Sequence, residues 1–165
     1  MKKTFVVMLL YSIVAPAAFA ATEVDNAKRS VGINYGVHGV LGIEGEQSIS
    51  SLANNEPVSV QVFLKNRMQV TSPGVSWDTT GIGAAVIYDF NTVARLDKKI
   101  HPYGGIGLMF VNHDWSGTGQ APKYDGVDSG LYLTGGVRYE LSPKVSADLN
   151  YNFFGNLTVG VIYSF

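Results

Sequence analysis

Residues 156–165 read Asn-Leu-Thr-Val-Gly-Val-Ile-Tyr-Ser-Phe, and their alternation decides the fold. Leu157, Val159, Val161, Tyr163 and Phe165 share one face of an extended chain. Asn156, Thr158, Gly160, Ile162 and Ser164 share the other. Successive side chains of a strand point to opposite faces, so a period of two marks a strand with one apolar face. Just upstream, Val145, Ala147, Leu149, Tyr151 and Phe153 alternate with Ser146, Asp148, Asn150 and Asn152. The period alone leaves the apolar surroundings open. A soluble sandwich turns that face to its core, a transmembrane barrel turns it to lipid.

Working back towards the N-terminus, the same period predicts six more strands, over Leu131–Leu141, Pro102–Val111, Ile82–Phe90, Val58–Lys65, Leu41–Ile49 and Val31–Val37. In Pro102–Val111, Ile106, Leu108 and Phe110 align, but Met109 and Val111 sit opposite, so its orientation stays open. Eight segments of about eight to eleven residues suit tilted strands crossing a bilayer, and their number is even. The expected fold is therefore all-β, an eight-stranded antiparallel up-and-down transmembrane β-barrel. Such a barrel is narrow enough for side chains to fill it, and the 19 glycines suit its crowded interior. With the N-terminus in the periplasm, the outer connections are His38-Gly39, Asn66–Thr80, His113–Asp128 and the turn around Gly155. The periplasmic ones include Asn91–His101 and the tight Ser142-Pro143 turn.

The start of the chain reads as an export signal over residues 1–20, followed by a barrel domain over 21–165. Lys2 and Lys3 precede an apolar run, Phe5 to Val14, too short for a bilayer helix. Ala18-Phe19-Ala20 then gives the small-x-small cleavage pattern. Without its first 20 residues the chain keeps 10 basic against 13 acidic residues, a net charge of −3, which offers nucleic acid no basic footprint. There is no cysteine, hence no disulfide framework and no thiolate chemistry. No apolar run after residue 20 approaches a membrane helix, so a membrane location requires a barrel.

Closure removes unpaired strand edges, which hydrocarbon would penalise heavily. Aromatic residues fall where the apolar belt should meet the two interfaces. Tyr88, Phe90, Tyr139, Tyr163 and Phe165 lie at the periplasmic end; Trp77, Phe110, Trp115, Phe153 and Phe154 lie at the outer end. The opposite face carries Glu44, Glu46, Lys65, Arg138, Glu140 and Asp148, with Asp89 lower down. Enclosed charges must be paired or hydrogen-bonded, so Lys65 and Arg138 are expected to form a lumenal network with Glu44, Glu46 and Asp148. That network would plug the lumen.

Three parts of the sequence carry a family resemblance. The decapeptide ending in Phe165, with Leu157, Val159, Val161 and Tyr163 on its apolar face, resembles the C-terminal assembly signal of outer-membrane barrels. That resemblance implies the barrel-assembly machinery as a partner. Gly81-Ile-Gly-Ala-Ala-Val-Ile-Tyr-Asp-Phe90 followed by His101-Pro-Tyr-Gly-Gly-Ile-Gly107 resembles the fourth and fifth strands of small opacity-type, OmpA-like barrels. Leu131 to Tyr151, centred on Leu141-Ser-Pro-Lys144, is similar to the next strand, turn and strand. The resemblance covers about half the chain, Gly81 to Phe165. It implies the fold and the cell outer membrane; the family hosts adhesins, host-factor binders and barrels of other roles, so function does not transfer.

Chemistry is sparse. His113 and His38, with Asp114, Ser116 and Asp125, are conceivable catalytic partners at the outer rim of a lipid A-modifying enzyme, but they sit in no hydrolase or acyltransferase motif. His113, Asp114, Asp125 and Asp128 could approach a divalent cation, without EF-hand spacing. Gly104-Gly105-x-Gly107 is followed by no helix, so it is no dinucleotide loop. No catalytic, cofactor or metal site is expected. The segment carrying His113, Asp114, Trp115, Tyr124, Asp125 and Asp128 is the candidate recognition loop, because loops carry binding and aromatics make anchors. The expected role is a non-enzymatic, monomeric surface barrel in outer-membrane lipid, structural or binding a host or surface ligand. A lipid A-modifying enzyme and a small pore are the alternatives.

Overall fold

The computed structural model describes residues 28–72, 75–94, 96–117, 126–154 and 156–165. The expected signal segment, residues 1–20, lies outside them. Eight strands follow in chain order: β1 (Arg29–Gly36), β2 (Val40–Ser48), β3 (Val58–Ser72), β4 (Val75–Asp89), β5 (Ile100–Gly117), β6 (Gly126–Ser142), β7 (Val145–Asn152) and β8 (Asn156–Ser164). Each pairs antiparallel with the next. β1 also pairs with β8, from Ser30 opposite Ser164 to Gly36 opposite Thr158, and so closes the barrel. A short helix, α1 (Asn91–Ala94), lies in the β4–β5 connection.

Every predicted apolar face points out. Ile33, Tyr35, Leu41, Val86, Leu149, Val159 and Phe165 are all exposed, whereas Asn34, Gln61, Lys65, Asp148, Asn150 and Thr158 are buried. A water-soluble domain would reverse this distribution; hydrocarbon as the outer solvent explains it. The open orientation of β5 is settled in the same way. Ile106, Leu108 and Phe110 face out, and Met109 is buried inside.

The first hairpin closes through a 3-10 turn, Val37–Gly39, with Gly39 at φ 73°, a left-handed conformation that glycine adopts without steric cost. Its register, Tyr35 opposite Leu41, keeps both of these side chains on the lipid face. The β6–β7 turn follows Ser142, as predicted, and Val145 N–H donates to Ser142 Oγ.

The ladder corrects the expected outer loops. Asn66–Thr80 is strand over Asn66–Ser72 and Val75–Thr80, and the described residues of His113–Asp128, 113–117 and 126–128, are strand too: β3 and β4 pair from Val58–Tyr88 up to Ser72–Val75, and β5 and β6 up to His113–Gly126. These segments lack an apolar face because they stand beyond the belt, and above it a ladder needs backbone pairing but no greasy side. Polarity located the end of the membrane contact and not the end of the strand.

Candidate functional site

The lumen carries its ion pairs toward the termini, where Ile87 and Ile162 are buried beside them, and a cluster of apolar side chains toward the long hairpins. At the terminus end Arg138 of β6 meets Glu46 of β2 in a two-pronged pair, Nη1 to Oε1 at 3.0 Å and Nη2 to Oε2 at 2.6 Å. Ser59 Oγ–H donates to Glu46 Oε1 at 2.5 Å. The fork of the guanidinium matches a carboxylate in geometry as well as charge. Arg138 Nε lies 3.5 Å from Asp148, and its guanidinium stacks 4.4 Å from the Tyr103 ring centre. Tyr103 O–H donates to Asp148 at 2.9 Å, and Asn150 Nδ2 donates to the Tyr103 oxygen and to Thr134 Oγ1.

Lys65 and Glu44 stand apart from that centre. Lys65, 2% exposed, donates from Nζ to Tyr132 OH at 2.9 Å and lies 5.4 Å and 5.3 Å from the Phe63 and Tyr132 ring centres. Glu44 accepts from Asn34 Nδ2 at 2.9 Å. Among the described residues no carboxylate lies within ion-pair distance of Lys65. The five expected charges thus share one lumen: Arg138 pairs directly with Glu46 and Asp148, while the hydrogen bonds described for Lys65 and Glu44 go to neutral partners. Tyr103, Tyr132, Asn150 and Asn34 join these groups and were missed in the sequence. Their inward parity, opposite Ile106, Leu133, Leu149 and Ile33 respectively, was the available signal.

Toward the hairpins the lumen is filled by Val40, Phe63, Met109, Tyr132 and Phe154. Phe154, expected in the outer aromatic belt, turns inward instead and is 8% exposed. It bends in because Asn152 Oδ1 accepts its N–H, and its ring lies over Gly81: a Cβ there would come within 2.9 Å of the ring and 3.2 Å of Met109 Sδ. Among the belt residues, Phe90, Phe110, Tyr139, Phe153, Tyr163 and Phe165 are exposed on the outer face. The side chains of Trp77 and Trp115 lie outside the described residues. At the opposite mouth a cavity of about 260 Å³ opens between Glu46, Ser59, His101, Arg138 and Glu140. Asp89 and His101 pair at 2.8 Å on its wall.

Above the belt, β3 to β6 run on beyond their neighbours. β2 begins at Val40, opposite Arg67, so among the described residues Met68–Ser72 of β3 have no ladder partner on that side. β7 ends at Asn152, opposite Thr134, and Phe153 N–H still donates to Leu133 O at 3.3 Å, so among the described residues the backbone of Gly126–Tyr132 in β6 is likewise outside the β7 ladder. The outcome, among the described residues, is a four-stranded ribbon with two edges outside any ladder. Of the candidate recognition residues, His113, Asp114 and Trp115 lie in β5 and Asp128 in β6. Tyr124 and Asp125 lie outside the described residues. Asp114 and Asp128 are exposed, and Val127 is 71% exposed. His113 Nδ1 is 3.2 Å from Thr79 Oγ1. Among the described residues no carboxylate orients this ring, and no three His, Asp or Glu side chains converge as metal ligands.

The chain's fold has solved counterparts. Neisserial surface protein A matches with a TM-score of 0.60 at 21% identity, over 84% of this chain and 94% of that one. Ail, the attachment invasion locus protein of Yersinia pestis, matches at 0.52 and 13%, over 84% and 99%. The N-terminal β-barrel domain of Pseudomonas aeruginosa OprF matches at 0.51 and 14%, over 84% and 96%. No curated protein sequence shows significant similarity to the chain. The model of the outer membrane protein beta-barrel domain family matches residues 6–165. With that match spanning nearly its whole length, and with a closed eight-stranded barrel that is apolar outside and ionic within, the chain belongs to the outer membrane protein β-barrel domain family.

Proposed function

We propose that this protein is a non-enzymatic recognition barrel of the cell outer membrane, with a filled lumen that serves as a rigid stand for a binding ribbon. The observation that carries this reading is the extension of β3 to β6 past the belt, where two strand edges have no ladder partner among the described residues, over a plugged interior. An open edge offers unpaired N–H and C=O groups to an extended peptide, and alternate side chains add specificity. Asp114, Val127 and Asp128 give the ribbon a mixed polar and apolar surface suited to contact.

The test is replacement of residues 113–128 by a short turn in cells displaying the protein. Binding to host cells or matrix protein should disappear while the barrel keeps its heat-modifiable gel migration. Binding that survives the replacement contradicts the reading. An enzymatic reading rests on the Thr79–His113 contact alone. It predicts lipid A hydrolysis or acyl transfer abolished by His113→Ala, and no such activity is expected.

A further inference from the structure

We propose that the rim at the terminus end, from the β4–β5 connection to the β6–β7 turn, is a seat for anionic phospholipid headgroups. The two connections lie side by side, since Glu140 N–H of β6 donates to Lys99 O at 2.8 Å. Lys98 and Lys99 occupy a turn closed by Ile100 N–H to Asp97 O, and Lys144 stands in the neighbouring turn; all three are exposed. Beside them Val93, Leu96 and Leu141 are 68%, 46% and 61% exposed. In water such an apolar group would be costly, but here it continues the lipid-facing belt of Tyr139 and Phe90.

The arrangement has the two parts of an interfacial lipid contact: apolar side chains at the acyl boundary, ammonium groups one layer further out. The turn holds its shape without lipid. Asp89 Oδ1 accepts Asn91 N–H at 2.8 Å, Asn91 Nδ2 donates to Asp97 O at 3.0 Å and also to Ile100 O, and Asp97 Oδ1 accepts Lys99 N–H at 2.9 Å. The acids of the region are turned away or occupied. Glu140 and Asp89 line the lumenal mouth, and Asp97 is bound to the lysine turn itself. The outward arc therefore presents positive charge at the depth of the phosphates. With the termini in the periplasm, it meets the phospholipid leaflet. The proposal rests on the membrane location and is independent of the recognition ribbon.

The test uses the protein in nanodiscs with spin-labelled phosphatidylglycerol or phosphatidylcholine. The native chain should hold phosphatidylglycerol about threefold to tenfold more strongly at low salt, with the preference shrinking as salt rises. The triple variant Lys98→Gln/Lys99→Gln/Lys144→Gln should lose the preference, whereas Lys28→Gln, at the lumenal mouth, should keep it. Heat-modifiable migration verifies that each variant is folded. A native protein with no preference, or a triple variant that retains it, would overturn the proposal. So would displacement of the labelled lipid by soluble glycerol phosphate.

Discussion

Arg138 holds together the ion pairs of the lumen, touching Glu46, Asp148 and Tyr103 from one planar group. Arg138→Met leaves Glu46 and Asp148 enclosed without their ion-pair partner, and the expected cost is about 3–5 kcal/mol, read from urea unfolding in lipid. Adding Glu46→Gln should restore part of that loss; strictly additive effects of the two changes would refute the pairing. Lys65 is the informative contrast. Its ammonium lies between the Phe63 and Tyr132 rings, bonded to the Tyr132 hydroxyl, with no carboxylate in ion-pair reach among the described residues, so Lys65→Met should change stability by less than about 1.5 kcal/mol. An equal loss at both sites would mean that the five charges act as one network after all. The sequence could place these residues on the inner face through parity. It could not say which acid each cation would meet, because that depends on the stagger of strands far apart in the chain: Arg138 and Glu46 are 92 residues apart.

At the scale of the strand, legibility followed the contrast between faces. β7 and β8 were readable because Leu149, Tyr151, Val159 and Val161 alternate with Asp148, Asn150 and Thr158, and all of these turned as expected. β5 was ambiguous for a physical reason. Its inward Met109 helps fill the apolar cluster toward the hairpins, so both of its faces are greasy there. Phe154 was misplaced because an aromatic at the belt's edge and an aromatic capping the lumen differ by one residue in parity. The long hairpins were read as loops because their polar composition reports on water, while backbone pairing continues without an apolar face. Two substitutions test the belt. Val161→Arg, at the middle of β8, should cost about 2–4 kcal/mol, and Leu141→Arg, at the terminus-end interface, about 0–1 kcal/mol. Equal costs, measured as shifts in unfolding midpoint, would contradict a lipid slab between two interfaces.

As a whole, the molecule is a cylinder closed by β1 on β8 and stoppered at two levels, by Val40, Met109 and Phe154 toward the hairpins and by the Arg138 group below. Planar bilayers should therefore show no steady conductance with the native protein. Phe154→Ala combined with Met109→Ala should introduce resolvable current steps, and conductance in the native protein would contradict the stopper. The central claim is that the apolar stripes face hydrocarbon and the ionic groups face the axis. The absence of cysteine makes the most direct measurement clean: single cysteines placed in turn from Thr158 to Tyr163, spin-labelled in lipid, and probed with oxygen and a water-soluble nickel chelate. The account predicts strict alternation, with positions 159, 161 and 163 open to oxygen and closed to nickel, and positions 158, 160 and 162 shielded from the lipid. A uniform profile, or one of opposite phase, would contradict it.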